Sequence, residues 1–445
     1  MEMQKNFAGF VLAGILMFFP AVVLGQPADE ISNAALLQRI EQMEQELSLL
    51  KAQLKQATSQ AETANQNAAN AVKKAETATK EAKTAKSEAV KVAKSTNDNR
   101  NSDAKWHLAG YGDAGLIISD GAGPDTFTSG QFNPVFHFQY RDLVMFEGEL
   151  EFSTTSEGET NVELEYSQFD LLLHDNATLV IGKYLSPVGQ FQERLHPSWI
   201  NKIADKPAGF DHDGLQPASD TGVQLRGGIL IGDSVLTYAL AVGNGPRMAL
   251  EGGINLEASG SDDNGNKAVS GRIGFLPVHG IEIGASFLTA KVNGIDGPMG
   301  PGPTNADFFL WGADAAFTRG PWDARFEYLN GERKSLLSAV DAGGDVMLLP
   351  TLDMEAWYAQ LAYRLSGVTD HPVLRKLEPV VRFGQYNIVG SNTLRMENAQ
   401  DRYNIGLNFW LAPSIVAKGG VEWRDFKVSG IDTETLYQFQ FAYGF

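Results

Sequence analysis

Three patterns of apolar and polar positions follow one another along the chain. The first is an apolar run from Phe7 to Leu24, preceded by Lys5 and followed by Q-P-A-D-E. A basic residue, a long apolar stretch and V-L-G before Gln26 mark a secretory signal peptide over residues 1–25, cut after Gly25. A retained membrane anchor, the competing reading, would call for a longer run and a basic flank.

The second pattern has a period of seven. With Ile40 at position a, the seam passes Met43, Leu47, Leu50 and Leu54, continues through alanines from Ala57 to Ala89 and ends at Val92. The outer positions are mostly Glu, Gln, Lys, Thr and Asn. A seam unbroken in register over 31–94 predicts an α-helical coiled coil, placed here at 26–94. If helical throughout, it spans roughly 95 Å at about 1.5 Å per residue. A coiled coil needs partner chains, so an oligomer is expected, with two strands and three both open. A solvated Ala/Lys/Glu tail is the plainer reading of the same residues. S-T-N-D-N-R-N-S-D (95–103) breaks the pattern and predicts a linker over 95–104.

From Lys105 the period falls to two. Strands are predicted at 106–118, 131–141, 143–153, 161–173, 177–186, 221–231, 235–243 and 267–277. Eight more follow at 281–291, 306–318, 322–331, 353–365, 378–388, 401–412, 414–426 and 434–445. Most connections on one side are tight, such as R-D (141–142) and G-D-S (232–234), and those on the other are long, up to 187–220. Sixteen antiparallel strands with alternating tight and long connections describe an all-β transmembrane barrel over 105–445. The last strand carries Tyr437, Phe439, Phe441, Tyr443 and Phe445 on one face. In water such an edge would aggregate, whereas in a closed barrel it faces lipid. A soluble β-sandwich would have to expose the outward aromatics of W-Y-A-Q-L-A-Y (357–363) and N-F-W-L (408–411).

H-L-A-G-Y-G-D-A-G (107–115), G-K-Y-L-S-P-V-G-Q-F-Q-E-R-L-H-P-S-W (182–199) and the terminal F-A-Y-G-F carry a resemblance. The chain resembles the sixteen-stranded outer-membrane porins of the phosphate-selective porin O/P type, and among them the DcaP-like porins with an N-terminal coiled coil. The resemblance covers most of residues 31–445. It implies a homotrimer in the outer membrane of a Gram-negative bacterium, with the coiled coil in the periplasm. It implies that 187–220 folds into the lumen as the constriction, and that the pore passes small solutes, often anions. It also implies that Tyr437, Phe439, Phe441, Tyr443 and Phe445 form the signal read by the barrel-assembly machinery.

Alternation assigns the inner face. Val144, Phe146, Leu150 and Phe152 point outward, which turns Glu147, Glu149 and Glu151 inward, and the next strand adds Glu163 and Glu165. The inward phase elsewhere carries Arg226, Arg272, Arg325, Arg382, Lys418 and Arg424. An acidic wall and basic rungs set a transverse field across a narrow aqueous pore. The plainer reading is that these charges pair with one another. In the constriction loop, Arg194, Lys202 and Lys206 are donors suited to phosphate or carboxylate solutes. Glu193, Asp205, Asp211 and Asp213 share that loop, and mixed signs depart from the basic ladder of phosphate-selective members.

Composition agrees with this picture. The 46 Gly and 25 Phe are generous for 445 residues, while a mean hydropathy of −0.18 looks soluble. A barrel with alternating faces gives both. The absence of cysteine excludes disulfides, thiolate metal sites and an N-terminal lipid on cysteine. The first 103 residues carry 12 side chains of each sign. That leaves 24 of the 36 basic and 42 of the 54 acidic ones beyond, so the net −18 belongs to the barrel. Acidic loops such as G-S-D-D-N-G-N (260–266) can be bridged to lipopolysaccharide by divalent cations. An acidic barrel disfavours nucleic acid.

No G-x-S-x-G, H-E-x-x-H or P-loop occurs, so no enzyme, cofactor or metal is expected. F-D-H-D-G (210–214) reads as a loop turn rather than a metal site, and His196 with His212 is a poor hydrolase pair. The expected function is a channel for passive diffusion of small hydrophilic solutes, leaning to phosphate or organic acids. The alternative is an anchor whose stalk ties the envelope to peptidoglycan. An anchor needs no charged inner wall, and a pore does.

Overall fold

The computed structural model describes residues 103–445 apart from 122–124, 212–213, 250–252, 258, 296–304, 340–345, 391–397 and 429, together with scattered positions from Ile40 to Lys80. The expected signal peptide (1–25) lies outside the described residues, as does most of the expected coiled coil (26–94). Its described positions are helical and exposed. Asn99–Phe445 is a unit by itself.

Sixteen long antiparallel strands make up the wall among the described residues. They are β1 (Ala104–Ser119), β2 (Gln131–Tyr140), β3 (Val144–Thr154), β4 (Thr160–His174), β5 (Ala177–Leu185), β6 (Ser219–Ile231), β7 (Ser234–Gly243) and β8 (Ala268–Val278). The second half is β9 (Ile281–Asn293), β10 (Asn305–Arg319), β11 (Trp322–Arg333), β12 (Leu352–Tyr363), β13 (Leu377–Val389), β14 (Gln400–Ala412), β15 (Ile415–Phe426) and β16 (Glu434–Gly444). All fall within two residues of the bounds expected from the period-two pattern. Each pairs with its sequence neighbours, and β1 pairs with β16 from Tyr111↔Gly444 to Ser119↔Leu436. The ring is closed, so no strand edge is left to seek a partner.

Alternation along β14 shows how sequence sets the two faces. Tyr403, Ile405, Leu407 and Leu411 are exposed, while Arg402, Asn404, Asn408 and Trp410 are buried. Tyr437, Phe439, Phe441 and Phe445 lie outward at 45–53% exposure. At the long-loop end of β10–β16 the outward Trp311, Tyr328, Trp357, Tyr403, Trp423 and Tyr437 form an aromatic row. An apolar band of this extent under an aromatic row needs hydrocarbon around it.

Two expectations are corrected. Trp410 and Tyr358, read with the outward rows, point inward and are buried at 7% and 2% exposure. Trp410 donates its indole N–H to Glu378 at 2.6 Å, a bond unavailable in lipid. The inner wall is also not polar throughout. Leu288, Val292, Phe308, Leu310, Leu329 and Met354 on β9–β12 form an apolar core inside the barrel. They are covered by Val188, Phe210 and Leu215 and by two small hairpins, Arg247–Met248 with Ile254–Asn255 and Leu336–Ala339 with Val346–Leu349.

An outward charge should be costly. Leu407→Arg is expected to lower folding stability in lipid vesicles by roughly 2–4 kcal/mol, read from denaturant titration of refolding. A soluble β-sandwich would tolerate this change at an exposed leucine, so an unchanged midpoint would argue against a lipid-facing band.

Candidate functional site

The segment between β5 and β7's partner β6, residues 186–218, folds inside the barrel and meets the wall on several sides. Its entry is fixed by Glu327 of β11, which is 1% exposed. The Glu327 carboxylate accepts the backbone N–H groups of Gln190 and Phe191, each at 3.0 Å, and the Gln216 side-chain amide at 3.0 Å. Gly189 lets this happen. It sits at φ +72, and a Cβ there would lie 1.7 Å from Glu327 Oε1. Phe191 and Phe210 then close edge-on against Tyr358, with ring centroids 6.0 and 5.0 Å away.

Further along, Arg194 bonds Glu282 at 2.7 Å, and Glu282 also accepts from Arg272, which is clasped by Asp314 at 2.6 and 2.9 Å. Lys418 of β15 donates to the Ser198 carbonyl and, at 2.8 Å, to Gln440. Trp199 lies on Gly444 at the closing seam, where a Cβ would stand 2.6 Å from its Nε1. Lys202 bonds Glu378 at 2.9 Å and sits 5.1 Å over the Trp410 ring. A cavity of about 250 Å³ remains here, lined by Phe191, Trp199, Lys202, Arg325, Gln360 and Arg382.

Asp205 occupies a cage of guanidinium groups. Its Oδ2 accepts from Arg424 at 2.7 Å and from Arg402 at 3.2 Å, and its Oδ1 from the Lys206 N–H at 2.8 Å. Burial opposes ionisation of Asp205, but Arg402 and Arg424 outweigh it and hold the carboxyl below the usual carboxylate range. Arg382 donates to the Asp205 carbonyl at 2.9 Å, to Asn201 at 2.5 Å and to Gln360. Arg424 also meets Glu422 at 2.5 Å and Glu434 at 3.6 Å.

The five inner glutamates do not form one uniform wall. Glu149 is buried, bonded to Tyr111 at 2.7 Å and Asn133 at 3.0 Å, with His196 Nε2 at 3.9 Å. Glu147 lies 3.2 Å from His137 and 3.9 Å from Arg226, which bonds Asp170 at 2.6 Å. Asn133 also reaches Glu151 at 3.4 Å, and Glu163 is exposed beside Asn161 at 2.6 Å. Glu165 has no cross-strand partner, because the register jumps from Glu149↔Tyr166 to Leu150↔Leu164. That bulge turns Glu165 into electrostatic reach of His196, Lys206 and Glu151. Lys183 takes up the Leu164 carbonyl beside it. Arg325 bonds Asp323 on its own strand at 3.0 Å.

Lys202, Arg325 and Arg382 thus line the loop cavity, with Lys418 and Arg424 on the neighbouring strands, whereas Arg194 and Arg272 meet at Glu282 and share a second cavity with Arg226, which also reaches Glu147. Sequence reasoning passed over Asp170, Glu282, Asp314, Glu327, Glu378 and Arg402. All are inward; Glu327 shares the phase of Arg325 and Glu378 that of Arg382, whereas Asp170 lies beyond the bulge, which reverses the phase of Glu163 and Glu165. Adjacent opposite charges such as Asp401–Arg402 look like a strand end in sequence. Asp211 lies 3.6 Å from Arg402, and His212 and Asp213 lie outside the described residues. Among the described residues no three His, Cys, Asp or Glu side chains are disposed to hold a metal ion.

No family model matches the sequence, and neither does any curated protein. Several solved structures match at low identity. A loop L8 deletion mutant of OmpT, an outer membrane protein of Vibrio cholerae, matches at 12% identity and a TM-score of 0.49, over 77% of this chain and 100% of its own. The anion-selective porin from Comamonas acidovorans matches at 11% identity and 0.49, over 77% and 100%. The outer membrane channel DcaP of Acinetobacter baumannii matches at 13% and 0.47, over 78% and 98%. The barrel assignment rests on the hydrogen-bonded ring itself.

Glu327→Ala leaves two buried N–H groups without an acceptor, at roughly 1–3 kcal/mol each. Limited proteolysis should then cut within 187–218, where the wild type resists, and an uncut variant would show that the carboxylate is not the anchor. A depressed Asp205 pKa means its hold on the loop is complete above the ordinary Asp value of about 3.9 and fades as pH falls through the folded value. Protease resistance at 198–206 should therefore be the same at about pH 8 and about pH 5. Loss already at about pH 5 would show that a group titrating above Asp205 holds this stretch.

Proposed function

We propose that the protein is an outer-membrane porin, a homotrimer with a periplasmic coiled-coil stalk, through which small hydrophilic solutes diffuse passively. The observation that carries this reading is the separation of charge inside a closed, apolar-jacketed ring. Glutamates gather on β3–β4, while Arg382, Arg402, Lys418 and Arg424 gather on β13–β15 beside the infolded loop. Glu147 keeps 19% of its side-chain surface open to solvent and Arg424 22%, while Arg382, Arg402 and Lys418 are buried behind them. A field between such walls orients charged solutes as they pass.

The preference leans to anions, phosphate or organic acids. Arg194 and Lys202 are matched by Glu282 and Glu378, so the lean to anions rests on the β13–β15 arginines. Of the expected channel-lining set, the proposal keeps Arg382 and Arg424 on one side, now joined by Arg402, and Glu147, Glu151, Glu163 and Glu165 on the other. The anchor reading gives no reason for so many charges inside.

The test is the reversal potential of the purified protein in a planar bilayer under a salt gradient. Anion preference, weakened by Arg402→Gln with Arg424→Gln, would support the basic arc. Cation preference would give the selectivity to the glutamates, and a barrel that passes no ions would end the porin reading. Deleting 26–100 should lower trimer stability and leave conductance in place.

A further inference from the structure

The seat of Asp205 has the form of a bound oxyanion. One carboxylate oxygen accepts from two arginines on adjacent strands, at 2.7 and 3.2 Å. The loop backbone is held independently of that carboxylate. The Asp205 carbonyl accepts from Arg382 at 2.9 Å and from Asn201 at 2.9 Å, and the Lys206 carbonyl accepts from Arg402 at 3.1 Å. The side chain can therefore turn away while the loop keeps its course. Its side chain is also reachable from solvent, at 28% exposure beside Arg424 at 22%.

Paired guanidinium groups match the fork of a carboxylate or a phosphate. Neighbouring acids set how strongly they would hold one. Glu422 and Glu434 share Arg424, and Asp211 stands 3.6 Å from Arg402. With Asp205 in place, the two arginines meet no net shortage of negative charge.

We propose that Arg402 and Arg424 form an oxyanion subsite that the loop's own Asp205 carboxylate occupies, and that a solute carboxylate or phosphate enters it by exchange with that side chain. The inference rests on the porin reading for the solute's arrival. It adds that residence is kept short from within, since the displaced carboxylate stays beside the site and competes for return. A pore needs such weak seats, favourable enough to enter and easy to leave.

The test replaces the competitor. Asp205→Asn keeps the side chain's size and removes its charge. Calorimetric titration of the full-length protein in detergent, with inorganic phosphate and with succinate, should show affinity at least about tenfold higher than wild type for one probe or both, about 1.4 kcal/mol. Adding Arg402→Gln should remove that gain. If neither probe binds the variant more tightly, or the gain survives the loss of Arg402, the proposal falls. Asp205→Ser serves if the asparagine variant misfolds, judged by heat-dependent gel mobility. Calorimetry needs no conductance, so a non-conducting barrel would end the porin reading and leave this result standing.

Discussion

Ring closure between β1 and β16 is the constraint from which the other features follow. A strand surrounded by hydrocarbon has no water to satisfy its backbone, so each N–H and C=O must find a neighbouring strand. Once the first and last strands pair, every residue is committed to one of two faces. The period of two then becomes a sorting rule, apolar side chains outward and the remainder into an enclosed interior. Short connections at one end are a by-product of hairpin pairing, and the length that remains is spent at the other end, where loops are free to turn inward.

Inside, buried charge stands beside an apolar core. Buried ion pairs carry a desolvation cost that their attraction only partly offsets, so they are poor devices for stability alone. Their value here is geometric. Glu327 at Gln190, Glu282 at Arg194, Glu378 at Lys202 and Arg382 at the Asp205 carbonyl each fix one point of a segment that has no strand or long helix of its own. The apolar half of the interior supplies the adhesion, through Phe191, Phe210 and Leu215, and the polar contacts supply the register.

The wall of the barrel was readable from sequence because period two survives over sixteen segments and turn residues mark their ends. The outward aromatics of β16 were readable for the same reason. The interior was less so. Alternation says which residues turn inward and nothing about what they meet there, since their partners are far away along the chain, as with Glu327 and Gln190. Phe308 and Leu310 look like any strand residues bordering lipid, and only the infolded hairpins explain why they line the inside. Trp410 is outward by hydrophobicity and inward by phase, and phase prevails because Glu378 takes its N–H. The bulge at Glu165 escapes period counting altogether, being one residue inserted into an otherwise regular pair.

The contact of Trp199 with Gly444 places an event in time. Trp199 belongs to a segment made early in the chain, yet the surface it rests on is the last full turn of β16, beside the seam with β1. Ser198 and Lys202 likewise lean on β15 and β13. Until the final strands have been laid down and the cylinder joined, the stretch from Ser198 to Lys202 lacks part of its seat. The infolded segment therefore completes its seat only when the barrel closes, and a partly assembled sheet holds it by its entry alone.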